Sequence, residues 1–222
     1  MTTDRPDDVR SLLRSLRVFE GPLPAFDPDD VADTPDAMFV RWLREAADAG
    51  VREPHAVTVA TADPAGRPSS RVVVLHDVVD GAWRFATDSR SRKALDLAAN
   101  PQGAMSFYWR EQARQVRLVG TVRSPGAQAS AADFLARSPS SRAAGLATRP
   151  GQRLGSVGEM RAAMSAAEDR VAREPGTVLP QWLLLELVPD EAEFWQGDPG
   201  RAHTRVVYRR SPDGWTRELV WP

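Results

Sequence analysis

Apolar residues recur along this chain in two rhythms, and the change from one to the other divides it. Val9, Leu12, Leu13 and Leu16 fall at helical spacing, so Asp8 to Phe19 reads as a short amphipathic helix. Glu20 to Asp33 has no rhythm and is rich in Pro and Asp, which marks a linker rather than core. Thr34-Pro35 then offers an N-cap and a first-turn proline to a second helix running through Phe39, Leu43, Ala46 and Ala47, which Gly50 stops.

From Ala56 the period shortens. Ala56 to Thr61, Ser70 to Val79 and Trp83 to Thr87 read as a strand meander, joined by the turns Asp63 to Gly66 and Asp80-Gly81. Ser91 to Ala99 reads as a short helix ended by Asn100-Pro101, and Ala104 to Trp109 and Arg114 to Val122 as a hairpin around Glu111 to Ala113. The middle third is Ala-rich. It predicts helices from Ser124-Pro125 to Arg137, over Ser140 to Thr148, and over Val157 to Arg173 with Met160, Met164, Ala167 and Val171 on one stripe. An irregular basic loop, Arg149 to Gly155, precedes the last of these. Strand rhythm returns at Gln181 to Val188, Glu193 to Gln196, Thr204 to Arg209 and Trp215 to Val220. Helices bracketed by antiparallel strands make the chain α+β, a closed or split barrel with helical additions. Residues 1–33 are expected to be an N-terminal helix and linker, and 34–222 a single domain.

Composition narrows what such a fold can do. A chain of 222 residues, 42% hydrophobic, has one good core to bury, and a formal net charge of −1 gives no basic field for nucleic acid. There are no cysteines, which removes disulfides and thiolate chemistry, and the histidines are His55, His76 and His203, too few to support a metal site. The stretch Met1 to Arg10 lacks the apolar core of a signal peptide, and no run is long enough for a membrane span, so a cytoplasmic protein is expected.

Candidate chemistry gathers at three places. Arg201, His203 and Arg205 alternate, which would put all three on one face of a strand below the aromatic Trp195. Such a comb suits a flat anionic ligand, though a solvated edge strand carries the same pattern. Ser91-Arg92-Lys93 opens a helix, where free N–H groups favour a phosphate; an ordinary Ser cap is the plainer reading. Arg71 opens the β-branched strand Val72-Val73-Val74-Leu75 and needs a charge to meet. Gln115, alone, reads as an outward polar residue.

The string Glu193-Phe194-Trp195-Gln196-Gly197, then Arg201-x-His203-x-Arg205, a Tyr, a turn, a Trp and a terminal Pro, resembles the C-terminal signature of the pyridoxamine 5'-phosphate oxidase family. The similarity extends from about Phe39 to Pro222. It implies an FMN-binding split barrel, a homodimer whose flavin sites take residues from both chains, a small-molecule substrate and molecular oxygen as acceptor. By the same resemblance, Arg92 and Lys93 contact the FMN phosphate, with Arg71 toward it. Val72, Val73, Val74 and Leu75 line the flavin, Ala86-Thr87 and Gln115 contact it, and Trp195 and Arg205 complete the cofactor set. Arg201 and His203 hold the pyridine substrate over the flavin during hydride transfer, and His76, Asp133, Arg137 and Ser141 occupy the substrate-phosphate positions. The implied reaction takes pyridoxamine or pyridoxine 5'-phosphate to pyridoxal 5'-phosphate.

The chain departs from that pattern in places. His76 stands for a lysine, Asp133 for a tyrosine, Pro150-Gly151 for Gln-Ser against the cofactor, Thr204 for an aspartate, and Ala86 for an aromatic residue. Two of these alter the phosphate clamp, and Asp133 is expected to turn toward Arg137 when the site is empty. The related flavin oxidases of phenazine biosynthesis, to which Tyr108-Trp109-Arg110-Glu111 is similar, offer an alternative: oxidation of a reduced aromatic ring. A non-catalytic flavin- or haem-binding split barrel is the alternative from another class, distinguished by holding flavin without turnover.

Overall fold

The alternating segments form one antiparallel sheet that closes on itself. The structure, a computed structural model, describes residues 6–222. Strands β1 (Ala56–Ala62), β2 (Pro68–Val79), β3 (Ala82–Asp88), β4 (Gln102–Trp109), β5 (Arg114–Arg123) and β6 (Trp182–Gln196) lie in the order β3-β2-β1-β4-β5-β6, and β3 also pairs with β6 to shut the barrel. Strands β7 (Thr204–Ser211) and β8 (Gly214–Leu219) continue outward from β6. The α+β barrel with helical additions is thus the fold that forms. Period-two burial drives it: Val57 and Val59, Trp83 and Phe85, Met105 and Phe107, Val116 and Leu118 all turn inward. Asp80 and Gly81 both take positive φ, 51° and 69°, the turn that matches strand twist between β2 and β3.

Helix α1 spans Pro6–Ser15 and α2 spans Pro35–Asp48. Thr34 caps α2, its hydroxyl accepting from the Ala37 N–H at 3.4 Å, and the helix lays Met38, Phe39, Trp42 and Ala46 into the core. The Phe39 ring lies 4.7 Å from Phe107, and Trp42 lies 5.3 Å from Phe194. Burial of each such ring contributes about 1.5–3 kcal/mol, so Trp42→Ala is the single change that would most loosen this end.

Helix α1 ends at Ser15, short of the expected Phe19, and three further expectations, about the following stretch and the last strands, differ from what forms. The Glu20 to Asp33 stretch is partly core: Phe26 packs 4.9 Å from Trp42, Val31 is buried, and the Ala32 carbonyl accepts the Tyr208 hydroxyl at 2.6 Å. Its apolar residues are too sparse to show a period, and a carbonyl anchor leaves no mark in sequence. Burial pushes the Tyr208 phenol up to about 12. Second, β6 runs unbroken through Pro189-Asp190. A bulge between Val119 and Gly120 absorbs the irregularity, and Pro189 pairs with Gly120, where a Cβ would run into the Val188 carbonyl. Third, β7 begins only at Thr204, while Arg201 sits in a turn at φ 69°. Arg201, His203 and Arg205 therefore do not share a strand face.

Helices α3 (Arg92–Ala99), α4 (Ala127–Ala136), α5 (Pro139–Ala147) and α6 (Val157–Arg173) surround the barrel. Helix α4 starts behind Gly126, later than Ser124-Pro125 predicts. Ala143 of α5 packs on Ala167 and Val171 of α6, whereas Met160 of the expected stripe is exposed. Among the described residues no helix is long and apolar enough to cross a membrane.

Candidate active site

The start of α3 gathers the first functional cluster. Ser91 stands at the N-cap but does not cap: its hydroxyl lies 2.9 Å from the Thr87 hydroxyl, leaving the first N–H groups of the helix without a side-chain acceptor. Lys93 Nζ donates to Thr87 Oγ1 at 2.8 Å and to Ser91 Oγ at 3.4 Å. Arg71 reaches in from β2, donating to Thr61 Oγ1 at 3.0 Å, Ser69 Oγ at 2.7 Å and the Val59 carbonyl at 3.2 Å. Burial lowers the pKa of Lys93 and the charge of Arg71 lowers it further, against the charge of Asp88; burial lowers that of Arg71, against the charge of Asp96, and Arg92 lowers it further. Cations held in neutral oxygen shells against their mutual repulsion are what an anion relieves. Arg92 behaves differently from its neighbour. Its guanidinium turns to Asp96 at 2.6 Å and Asp63 at 3.1 Å, two buried carboxylates that the sequence reading missed.

The outer face of β2 carries Val72 and Val74, 67% and 47% exposed, whereas Leu75 is buried in the barrel core and Val73 packs against it. Of the strand expected to line a flavin, only Val72 and Val74 offer side chains outward. Ala86 of β3 is half-buried opposite Leu184.

A second cluster forms on β5, β6 and β7. Gln115 pairs in register with Tyr108 on one side and Trp195 on the other, and Trp195 pairs with Arg205. The His203 ring lies 4.9 Å from Trp195, and Phe19 covers both at 5.8 Å and 5.5 Å. Phe19 takes φ 58°, and Gly197 makes room for it, since a Cβ there would stand 3.0 Å from both the Phe19 and Trp195 rings. The Asp198 N–H donates to His203 Nδ1 at 3.0 Å, so the neutral imidazole carries its proton on Nε2. The Arg201 guanidinium lies 6.0 Å from the Phe19 ring, within cation–π reach. Arg205 is held by Glu193 and by the Trp221 carbonyl. A cavity of about 350 Å³ opens beside Phe19, lined also by Arg17, Glu20, Tyr108, Arg110 and Glu111. Phe19 was missed because the sequence predicts it as the last residue of the first helix, whereas α1 ends at Ser15 and Phe19 lies beyond it at φ 58°.

The third cluster joins His76, Asp133, Arg137 and Trp182. His76 Nδ1 lies 2.7 Å from Asp133 Oδ1, and the Trp182 indole N–H donates to Asp133 Oδ2 at 2.7 Å. The Arg137 guanidinium lies over the Trp182 ring at 4.2 Å. Asp133 therefore pairs with His76 rather than turning to Arg137. Ser141 stands in the first turn of α5, bonded to Ser138.

A family model described as pyridoxamine 5'-phosphate oxidase matches residues 43–196, and a model of the pyridoxine 5'-phosphate oxidase C-terminal dimerisation region matches residues 182–222. The chain belongs to the pyridoxamine 5'-phosphate oxidase family. Membership makes it an FMN-dependent oxidoreductase. A pyridoxine/pyridoxamine 5'-phosphate oxidase of Paraburkholderia phymatum is 40% identical, covering 90% of this chain and 94% of its own length. One from Thermosynechococcus vestitus is 38% identical, covering 97% and 98%. Among solved structures, PhzG from Burkholderia lata in complex with tetrahydrophenazine-1-carboxylic acid superposes with a TM-score of 0.83 at 29% identity, over 91% of this chain and all of that one. An FMN-binding protein of Nostoc punctiforme, at 22% identity and a TM-score of 0.70 over 86% of this chain and all of its own, shares the fold.

Against that family, the α3 cluster fits the phosphate of FMN: uncapped helix N–H groups, two hydroxyls and two crowded cations converge on one spot. Within one chain no described hydrogen bond or ring contact links this cradle to the Trp195 cluster. Strands β1, β4 and β5 stand between β2 and β6 on one side of the barrel, and β3 on the other.

Proposed function

We propose that this chain oxidises pyridoxine or pyridoxamine 5'-phosphate to pyridoxal 5'-phosphate, with FMN held by Arg71, Thr87, Ser91, Lys93 and the start of α3, and with oxygen as acceptor. The observation that carries the reading is the cradle, whose two cations lie in neutral oxygen shells beside an uncapped helix start. Val72, Val74, Ala86, Gln115, Trp195 and Arg205 would contact the rest of the cofactor. FMN, when bound, would supply a two-electron sink: the substrate C4' carbon gives up a hydride and its oxygen or nitrogen a proton, the imine left by the amine takes up water and releases ammonia, and molecular oxygen accepts the two electrons and two protons to leave as hydrogen peroxide. The chain's task is orientation. Arg201 and His203 would hold the substrate ring, with the fixed Nε2–H of His203 as a donor, and Trp195 and Phe19 would offer it aromatic faces.

The reading includes a homodimer in which the cradle of one chain meets the Trp195 cluster of the other. Support comes from the match to a dimerisation region over residues 182–222 and from the exposed apolar face of Val72, Val74 and Tyr108. The test is direct. Purified protein should be yellow, release FMN on denaturation, bleach with pyridoxine 5'-phosphate without oxygen, and recover on aeration with peroxide formed. A protein with bound flavin and a monomeric mass would contradict the shared site.

A second reading, oxidation of a reduced ring bearing a carboxylate, has one observation in its favour. Asp133, bonded to His76, puts a carboxylate among the residues that the resemblance implies for a substrate phosphate.

A further inference from the structure

We propose that helix α1 of one chain docks in the apolar groove between the Arg149–Gly155 loop and α6 of a second copy, so that the two chains exchange arms. This rests on the homodimer read above and adds a contact surface to it beyond the shared flavin site. Helix α1 carries Val9, Leu12 and Leu13 at i, i+3 and i+4 on a single stripe, which Leu16 continues just past the helix end. All four are 58–62% exposed, so their own chain leaves the stripe bare. Helices shorter than about 12–15 residues are marginal in water by themselves, and α1 has 10. It needs a surface.

The groove is the matching unfinished face. A cavity of about 280 Å³ is lined by Pro150, Leu154, Met160, Ala163 and Met164, with Arg149 and Arg153 among its walls. Leu154, Val157 and Met160 are about half exposed, whereas only Ala167 and Val171, further along α6, pack on α5. Methionines adapt their shape to an incoming helix, and apolar patches of this kind mark contact surfaces.

What selects α1 of a second copy as the occupant is where each feature is tied. Phe19 lies against the Trp195 and His203 rings, inside the stretch 182–222 that matches a dimerisation region. The four residues from Ser15 to Phe19 reach at most about 14 Å, so α1 starts from that cluster. The groove is tied to the cradle instead: Arg90, next to Ser91, donates at 3.3 Å to the carbonyl of Thr148, which lines the groove. A dimer that brings the Trp195 cluster of one chain to the cradle of the other therefore brings α1 to the partner's groove. Charges agree, since α1 has Asp8 near one end and Arg14 near the other, while the groove offers Arg149 and Arg153 on the loop and Glu159 on α6.

The test exploits a chain without cysteine. Two tagged copies are co-expressed, one with Leu13→Cys and the other with Met160→Cys, and the FMN-loaded protein is treated with a short bismaleimide. A mixed cross-linked dimer should form, and Ser11→Cys, on the opposite face of α1, should give little in place of Leu13→Cys. Leu12→Asp with Leu13→Asp should raise the dimer dissociation constant about tenfold or more. FMN content and Tm report that each variant is folded. A dimer by mass that gives no mixed cross-link, or whose dissociation the two aspartates leave unmoved, overturns the proposal while the homodimer stands. A link formed only inside single copies carrying both cysteines does the same, by putting α1 in its own chain's groove. So does a natural chain that sediments with phosphatidylglycerol vesicles through Leu12 and Leu13 and gives no mixed cross-link. A monomeric FMN-loaded chain overturns the homodimer and the proposal together.

Discussion

Two clusters of basic side chains sit on this barrel, one at the start of α3 and one formed by His76, Asp133 and Arg137, and they differ in where their carboxylates sit. At the α3 cradle, Asp96 and Asp63 hold Arg92, leaving Arg71 and Lys93 surrounded by hydroxyls and a carbonyl. In the second, Asp133 occupies the cluster itself and bonds His76. Both carry Arg together with Lys or His. The contrast shows that similar sets of basic residues can leave their cations hydrogen-bonded to neutral oxygens in one place and to a carboxylate in another, so the position of the negative charge sets the field a ligand would meet.

The largest expected effect tests the cradle. Arg71→Ala with Lys93→Ala removes two charge-assisted contacts, each worth about 1.5–3 kcal/mol, so the FMN dissociation constant should rise by about two to four orders of magnitude in a fluorescence titration. Full flavin occupancy in that variant would erase the contrast. Arg92→Ala should show the opposite balance. It leaves Asp96 without its cation, so the denaturant midpoint should fall, while FMN affinity changes by about tenfold or less.

A smaller effect lies in pH. Lys93 has its pKa lowered, first by burial, and a phosphate bound beside it would raise it, so binding takes up a proton. FMN affinity is then full below the lowered value and falls as pH rises through it, at a pH below the ordinary 10.5. Lys93→Arg should move that loss to higher pH, and an affinity flat to pH 10.5 in the natural chain would remove Lys93 from the contact. The smallest effect is at Asp133. Asp133 is depressed below 3.8, so its stabilisation is present above that value and disappears as pH falls through the folded one. Asp133→Asn should flatten the acid limb of the stability curve by less than about 1 kcal/mol, because the group is only partly buried.

Much of the barrel was legible because period-two alternation is imposed by burial on one face, and Val57, Val59, Met105 and Phe107 obey it. Legibility failed where irregularity on one strand is absorbed by another. Nothing local to Pro189 says that Gly120, far off in sequence, leaves space for it. Nor can three alternating residues define a strand, as Arg201 in its left-handed turn makes plain. At the site, Ser91, Arg92 and Lys93 were readable as a unit, but their division of labour was not, since it depends on Asp63 from another loop. The departures at His76 and Asp133 were visible one by one; that they bond to each other across 57 positions needed the fold.

Strand β6 pairs with β5 over Glu186–Gln196, with β3 over Trp182–Leu187 on its N-terminal side and with β7 over Glu191–Gln196. During synthesis this strand emerges after some four-fifths of the chain, behind the three helices α4 to α6. Until then β3 and β5 are open edges, and Phe107 and Leu118 have no Phe194 or Leu187 to complete their enclosure. A ribosome-bound fragment lacking β6 therefore presents two sticky borders at once, and a stall or truncation between Arg123 and Trp182 leaves a species suited to chaperone capture rather than a smaller folded domain.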